Sequence, residues 1–163
     1  MSKEIYTDGG YTNIMSRGIG AWAFIILDVQ KKEKKKLVEK SDFKFDTSNN
    51  KMELQAGIEA LKALETLNVV DDEELELFSD SMYFVRGMNE WLQKWKEKDW
   101  KSITGNDIKN QDLWLKLDKF KSKFPKLRFT WVKGHDSNAY NIECDSLVQE
   151  KIRMAKAKLT EET

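Results

Sequence analysis

The chain has 163 residues, of which 40% are hydrophobic and 34% charged, so it is long enough for one globular domain and is not a disordered chain. Lysine plus arginine equals aspartate plus glutamate at 28 each, which excludes a broadly basic nucleic-acid coat but allows a local basic face. One cysteine, Cys144, and one histidine exclude an internal disulfide and an ordinary structural zinc site. No apolar signal region or membrane span stands out, so we expect a cytoplasmic protein.

The first predicted strand leads to an acid followed by two glycines, Ile5-Tyr6-Thr7-Asp8-Gly9-Gly10. This pattern is typical of a central strand that ends with a carboxylate at the edge of a sheet. Ligands gather at the carboxyl ends of strands in open α/β sheets, and glycine lets the backbone approach a ligand. Asp8 is therefore a candidate site residue. The alternative is that Asp8 only starts a turn.

Two further strands are expected before the first helix. Residues 19–29 are almost wholly apolar, which predicts a strand buried on both faces. Residues 30–36 are rich in lysine and are interpreted as a solvated hairpin turn, with nucleic-acid contact as the less favoured alternative. Residues 37–45 form a more amphipathic strand. With no helix between them, the three strands should form an antiparallel meander.

The rest of the chain alternates helices and strands. Leu54, Ile58, Leu61 and Leu64 form the apolar stripe of a helix over residues 51–67. The other predicted elements are a strand over 75–78, a helix over 82–88, a helix over 110–122, a strand over 126–132 and a helix over 141–158. No internal linker divides the chain, so we expect a single domain over residues 1–163, with a core up to about residue 158 and a short tail.

A segment over residues 89–101 interleaves tryptophans with lysines. Lysines suit phosphates, and indoles suit sugars or bases, so this pattern favours a nucleic-acid strand. The alternative is a small helical subdomain in which Trp91 and Trp95 pack inward. We interpret the tryptophans as mainly packing residues and the lysines as facing outward. Acids within the segment predict modest, salt-sensitive binding.

Four acids lie where predicted elements begin or end: Asp8, Glu53, Asp80 and Asp145. Each has a structural alternative: Glu53 could complete a capping box with Asn50, Asp80 could be an N-cap, and Asp145 could favour the positive end of a helix dipole. If the strands are parallel neighbours, however, all four can converge on one end of the sheet.

Converging carboxylates repel one another and titrate as a coupled set. Divalent cations relieve this repulsion, and oxygen ligands suit Mg²⁺ or Mn²⁺ better than zinc. Two such ions, roughly 4 Å apart, can promote in-line displacement at phosphorus. His135 follows the strand over 126–132 and could carry a proton near neutral pH, although a lone loop histidine can also be merely exposed.

These residues resemble the motifs of the type 1 ribonuclease H family, in order and in approximate spacing from Ile5 to about Ala155. The segment with Trp91 resembles the family's basic protrusion. The matching pieces are Tyr6-Thr7-Asp8-Gly9, Asn49-Asn50-Lys51-Met52-Glu53-Leu54, Ser79-Asp80-Ser81, Trp131-Val132-Lys133-Gly134-His135 and Asn141-Ile142-Glu143-Cys144-Asp145.

The resemblance implies an α/β ribonuclease H-like fold, with a five-stranded mixed sheet flanked by helices. It implies a two-Mg²⁺ endonuclease that cleaves the RNA strand of RNA–DNA hybrids and leaves 5′-phosphate and 3′-hydroxyl ends. The metal-binding acids would be Asp8, Glu53, Asp80 and Asp145, with His135 as the mobile-loop histidine. We expect a monomer. The expected substrate-binding residues are Gly9, Asn49, Asn50, Trp91, Lys94, Trp95, Lys96, Lys98 and Lys133.

The chain departs from the family pattern at three places. The loop Gly9-Gly10-Tyr11-Thr12-Asn13 lacks the serine and the Asn-Pro-Gly run that are common after this aspartate. Met82 stands where the family often has glutamine, so one minor-groove contact of the family is not expected to be made in the same way here. The protrusion contains more acid than in strongly basic members.

Two alternative functions belong to different classes. A hybrid-binding module that has lost catalysis is disfavoured because all four acids and the histidine are present. A related nuclease that acts on DNA, such as an integrase or a Holliday-junction nuclease, is disfavoured by the His135 loop and the tryptophan-rich segment. Cleavage of matched DNA and hybrid duplexes would separate the two enzymes.

Overall fold

A computed structural model describes residues 2–101, 106–134 and 138–161. These residues form a five-stranded sheet with helices packed on both faces. In chain order the elements are β1 (Ser2–Ile14), β2 (Arg17–Gln30), β3 (Glu33–Phe45), α1 (Asn49–Glu65), β4 (Glu74–Ser79), α2 (Met82–Arg86), a π-helical turn (Gly87–Trp91), α3 (Leu92–Glu97), α4 (Gln111–Lys123), β5 (Leu127–Trp131) and α5 (Ala139–Glu161).

The order of strands in the sheet is β3-β2-β1-β4-β5. The first three strands are antiparallel, whereas β4 pairs in parallel with β1 and β5 pairs in parallel with β4. The predicted meander and mixed sheet are therefore confirmed. Most predicted boundaries lie within a few residues of the observed ones, and α5 extends to Glu161 with Leu159 buried.

The two faces of the sheet are covered by different helices, which explains the continuous apolar run in β2. Phe24 and Ile26 point into a core with α1 residues such as Leu54, while Ala23 packs beneath Val148 of α5. Because successive side chains of a strand point to opposite faces, a strand covered on both sides is apolar throughout. Every residue from 19 to 27 is buried, as predicted, whereas residues 28 and 29 at the end of the predicted run are only half-buried.

The prediction that the first strand stops at Asp8 is wrong. Only the parallel pairing with β4 stops there, at the pair Thr7–Ser79, while β1 continues beside β2 through Gly9 and Gly10 to Ile14. The glycines do not turn the chain, because the antiparallel partner continues past them. Asp8 thus lies on a continuous strand at the point where one neighbour leaves the sheet.

The helix predicted over residues 82–88 ends early and continues as a π-helical turn and α3. A β-carbon on Gly87 would lie 1.9 Å from the ring of Trp114, so this glycine lets the segment pack against α4. Within the described residues, none of the helices has the length and apolarity needed to cross a membrane.

Candidate active site

Four secondary-structure elements bring the four predicted acids to one end of the sheet. Asp8 lies on β1, and Asp80 follows the last residue of β4. Because these strands are parallel neighbours, their carboxylates emerge side by side. Glu53 on α1 and Asp145 on α5 approach from opposite faces of the sheet. The predicted convergence is thus present in the structure.

Asp8, Glu53 and Asp80 form the tight part of this cluster. Each offers one carboxylate oxygen, and the three oxygens all lie within 4.8 Å of one another. Asp8 is 3% exposed and Glu53 is 5% exposed. Asp145 is half-buried and lies outside this set of three, but its charge acts on both Asp8 and Glu53.

Burial and mutual repulsion shift the titration of this cluster. Burial raises the pKa of Asp8 well above its ordinary value, and the charges of Glu53, Asp80 and Asp145 raise it further. Burial and the charge of Asp80 likewise raise the pKa of Glu53, against the lowering effect of a backbone hydrogen bond from Gly9. Without a cation, this site therefore favours protonated carboxyls.

The chemistry of the donor set fits a divalent cation. The Glu53 oxygen Oε1 is buried and has no hydrogen-bond partner among the described residues. An unpartnered carboxylate oxygen beside two other carboxylates would gain a ligand if a cation were bound. Hard oxygen donors are those that Mg²⁺ and Mn²⁺ prefer.

The end of β5 positions Asp80. The indole Nε1 of Trp131 donates a hydrogen bond to the backbone oxygen of Asp80 at 3.1 Å, and Val132 N donates to Ser79 O at 2.9 Å. A β-carbon on Gly134 would lie 2.9 Å from Asp80 Oδ2. The motif Trp131-Val132-Lys133-Gly134-His135 does not by itself indicate this role for Trp131 or Gly134. The available signal was a tryptophan at the end of a predicted strand, directly before a polar loop.

The capping alternatives for the acids do not hold. Ser48 is the N-cap of α1 and accepts a hydrogen bond from Lys51 N, so Glu53 is not the third residue of a capping box that starts at Asn50. Ser81, not Asp80, is the N-cap of α2. Because α5 begins at Ala139, Asp145 lies in its second turn.

Only some of the predicted substrate-binding residues lie in the elements that carry the carboxylates. Asn49 is exposed and Asn50 half-buried in the first turn of α1, near Glu53 in sequence, and Lys133 is exposed next to Gly134. Gly9 contacts the backbone of α1, where a β-carbon would lie 2.5 Å from Glu53 N. His135 lies outside the described residues.

The tryptophan-rich segment forms an aromatic cluster against α4. Trp95 lies 5.4 Å from Trp114 between ring centroids, and Trp91 and Trp100 also pack in this cluster, in tilted or edge-to-face arrangements. The buried Trp114 donates its Nε1 hydrogen bond to the Tyr83 hydroxyl at 3.1 Å. The tryptophans therefore pack, as interpreted from the sequence.

Three lysines of this segment project from the aromatic cluster toward solvent. Lys94, Lys96 and Lys98 are all exposed. Lys96 pairs with Asp118 at 3.5 Å, which leaves Lys94 and Lys98 without an ion pair in the described part of the chain. This half of the interpretation also agrees with the structure.

Comparison with known sequences gives a consistent result. The RNase H family model matches residues 1–153. A protein named Ribonuclease H from Acetivibrio thermocellus is 40% identical over 151 residues, covering 92% of this chain and 94% of the relative. A Ribonuclease H from Treponema denticola is 35% identical over 159 residues, covering 92% of this chain and 96% of the relative.

Solved structures show the same fold. The crystal structure of LC11-RNase H1 in complex with an RNA/DNA hybrid matches with a TM-score of 0.69 and 27% identity, covering 94% of this chain and 99% of that one. The solution structure of the PFV RNase H domain matches with a TM-score of 0.80 and 18% identity, covering 94% and 95%.

Proposed function

The chain belongs to the ribonuclease H family, and from that membership we propose that it is an endonuclease that hydrolyses the RNA strand of RNA–DNA hybrids. The products would carry 5′-phosphate and 3′-hydroxyl ends. The single observation that carries the proposal is the convergence of Asp8, Glu53 and Asp80 within 4.8 Å at the end of the sheet. A buried cluster of like charges destabilises the fold, so such clusters occur mainly at functional sites, and a metal-dependent active site accounts for this one.

The family is metal-dependent, and this acidic cluster could bind a metal. We propose two Mg²⁺ ions, with Mn²⁺ as a possible substitute, held by Asp8, Glu53, Asp80 and Asp145. Bound ions of this kind would lower the pKa of the attacking water and neutralise charge on the leaving oxygen. The unpartnered oxygen of Glu53 supports this assignment.

The protein's own groups have separate roles in this proposal. The four carboxylates would hold the ions, and the Trp131 and Gly134 contacts keep Asp80 in place. His135 carries a proton to or from the reacting groups near neutral pH. Its position in sequence, between β5 and α5, supports this role.

The substrate would be held on both sides of the carboxylates. The relative LC11-RNase H1 was crystallised with an RNA/DNA hybrid. We assign backbone contacts to Gly9, Asn49, Asn50 and Lys133. We assign phosphate contacts to the outward lysines of the tryptophan-rich segment, Lys94, Lys96 and Lys98, with Trp91 and Trp95 supporting them. Contacts to 2′-hydroxyls would select RNA at the cleaved strand by shape rather than by sequence. We propose a single-domain monomer that acts in the cytoplasm.

Cleavage of four end-labelled duplexes tests the function. Hybrid, RNA duplex, DNA duplex and a hybrid with the label on its DNA strand are incubated with Mg²⁺ and then with Mn²⁺. We expect cleavage of only the hybrid's RNA strand, lost in Asp8→Asn and retained in the matched control Asp72→Asn, whose carboxylate is exposed in the α1–β4 loop.

Two results would contradict the proposal. Hybrid binding without cleavage in either metal would indicate a binding module. Equal cleavage of matched DNA and hybrid duplexes would indicate a DNA-acting relative.

A further inference from the structure

The β2–β3 hairpin carries lysines where its backbone disfavours them. Gln30 pairs with Glu33, so Lys31 and Lys32 form a two-residue turn, and both have positive φ angles of 48° and 72°. Turns of this shape prefer Asn-Gly, because most residues with a β-carbon are strained in the left-handed region, whereas glycine and asparagine tolerate it. Two exposed lysines thus occupy positions at which other residues would make a more stable turn.

The hairpin, defined as residues 30–36, concentrates positive charge in a chain whose net charge is zero. Lys34 pairs with Glu4 at 2.9 Å, and Lys36 pairs with Glu39 and Glu143. Lys31, Lys32 and Lys35 are exposed and have no ion pair within the described ranges, against the single acid Glu33 in the same hairpin. Unpaired charges of one sign attract a polyanion most strongly.

The hairpin lies at one end of β2, whereas the carboxylates lie beside the middle of this strand. Asp8 pairs with Ala23, eight residues before Lys31, which places the turn about 25 Å from the site at a rise of about 3.3 Å per residue. The acidic residues 71–74 lie beside the start of β1, on its β4 side, and Glu73 forms an ion pair with Lys3. A polyanion would therefore approach the hairpin from the β3 edge of the sheet.

We propose that this lysine hairpin binds the phosphate backbone of a long RNA–DNA hybrid at a point outside the carboxylate site. The inference rests on the proposed function, since the same hybrid occupies both places. A distance of about 25 Å corresponds to about seven nucleotides of one strand, so only hybrids that extend beyond the site reach the hairpin. Lysine binds phosphate as a point charge, so the contact has no sequence preference.

The double substitution Lys31→Asn/Lys32→Gly distinguishes an effect of charge on binding from an effect of turn stability. It removes two charges and installs the preferred turn residues, so we expect the Tm to rise by about 3 °C while hybrid binding weakens. Binding is measured in EDTA, by fluorescence anisotropy, with a hybrid of six base pairs, which is too short to span the site and the hairpin, and with one of thirty. For the long hybrid, the slope of log affinity against log salt should fall by about 1.8. For the short hybrid it should not change. In Mg²⁺, kcat should not change and KM should rise only for the long hybrid.

Two further variants keep this test specific. Lys35→Gln removes one charge without changing the turn and should lower the slope for the long hybrid by about 0.9. The matched control Lys116→Gln/Lys119→Gln removes two exposed lysines of α4 and should leave both hybrids unaffected.

An unchanged slope in the turn variant would overturn the proposal. So would an equal loss with the α4 control, or binding of the hairpin to anionic phosphatidylglycerol vesicles in its place. Failure of the wild type to cleave any hybrid is a different result and would contradict the proposed function instead.

Discussion

A β-carbon on Gly9 would lie 2.5 Å from the backbone nitrogen of Glu53. The bare backbone of β1 at this position therefore sets how closely α1 packs on the sheet. The backbone N–H of Gly9 also hydrogen-bonds to the Glu53 carboxylate. This close packing places Glu53 beside Asp8. The absence of a side chain at Gly9 is therefore needed for the geometry of the carboxylate cluster.

Gly9→Ala should lower both stability and activity. The added carbon meets backbone atoms of Met52 and Glu53, which cannot rotate away, so we expect a loss of about 1–3 kcal/mol in the free energy of unfolding. Chemical denaturation without substrate measures this loss. The control Gly10→Ala meets mainly the Val148 side chain, which can adjust, and should cost less. Equal losses in the two variants would contradict the packing role of Gly9.

Asp8→Asn should stabilise the metal-free protein while abolishing cleavage. At neutral pH, folding requires this buried carboxyl either to take up a proton or to stay charged beside Glu53, Asp80 and Asp145, and the neutral amide avoids both costs. Each kcal/mol of relieved repulsion corresponds to about 2–4 °C in Tm for a domain of this size. Thermal melting in EDTA measures the rise, and Asp72→Asn should show none. A lower Tm for Asp8→Asn than for wild type would mean that the carboxylates do not repel as inferred.

The stability of the metal-free protein should fall as pH rises from about 5 to 9. Asp8 has a raised pKa in the folded state, because burial and neighbouring acids disfavour its charge. Such a group contributes stability in full below its unfolded pKa near 4, and this contribution is lost as pH rises through the folded value. Melting in EDTA across this range, compared with Asp8→Asn, isolates the effect. A constant Tm difference between the two proteins would argue against a raised pKa.

The double substitution Lys94→Ala/Lys98→Ala should weaken hybrid binding without changing kcat. Both side chains are exposed, whereas Lys96 is partly neutralised by Asp118. If each lysine contacts one phosphate, the slope of log affinity against log salt should fall by about 1.8. Anisotropy titrations in EDTA at several salt concentrations measure this slope. The Lys116→Gln/Lys119→Gln control should keep the wild-type slope, and an identical loss there would show a general charge effect.

The sequence was informative where local pattern and burial agree. The apolar run of β2 and the stripe of Leu54, Ile58, Leu61 and Leu64 predicted elements whose residues are buried as expected. The convergence of the acids followed from topology, since a meander followed by parallel strands places Asp8 beside Asp80.

Features set by tertiary contacts were not predictable. The π-helical turn at Gly87 depends on the space left by Trp114, which is distant in sequence. The continuation of β1 past Asp8 depends on its pairing with β2, and a glycine pair alone gives no sign of it. Which serine caps each helix is a choice of one residue among several polar neighbours, and Ser48 and Ser81 could not be separated from those neighbours by pattern alone.

The most direct test of hydrolysis at the carboxylate cluster is the chemistry of the product ends. A single turnover of hybrid in oxygen-18 water with Mg²⁺ is followed by mass spectrometry of the RNA fragments. Attack of water at phosphorus predicts one heavy oxygen in the new 5′-phosphate and an unlabelled 3′-hydroxyl, with neither product from Asp8→Asn. Fragments that end in a 2′,3′-cyclic phosphate, or a 5′-phosphate without the label, would contradict the account.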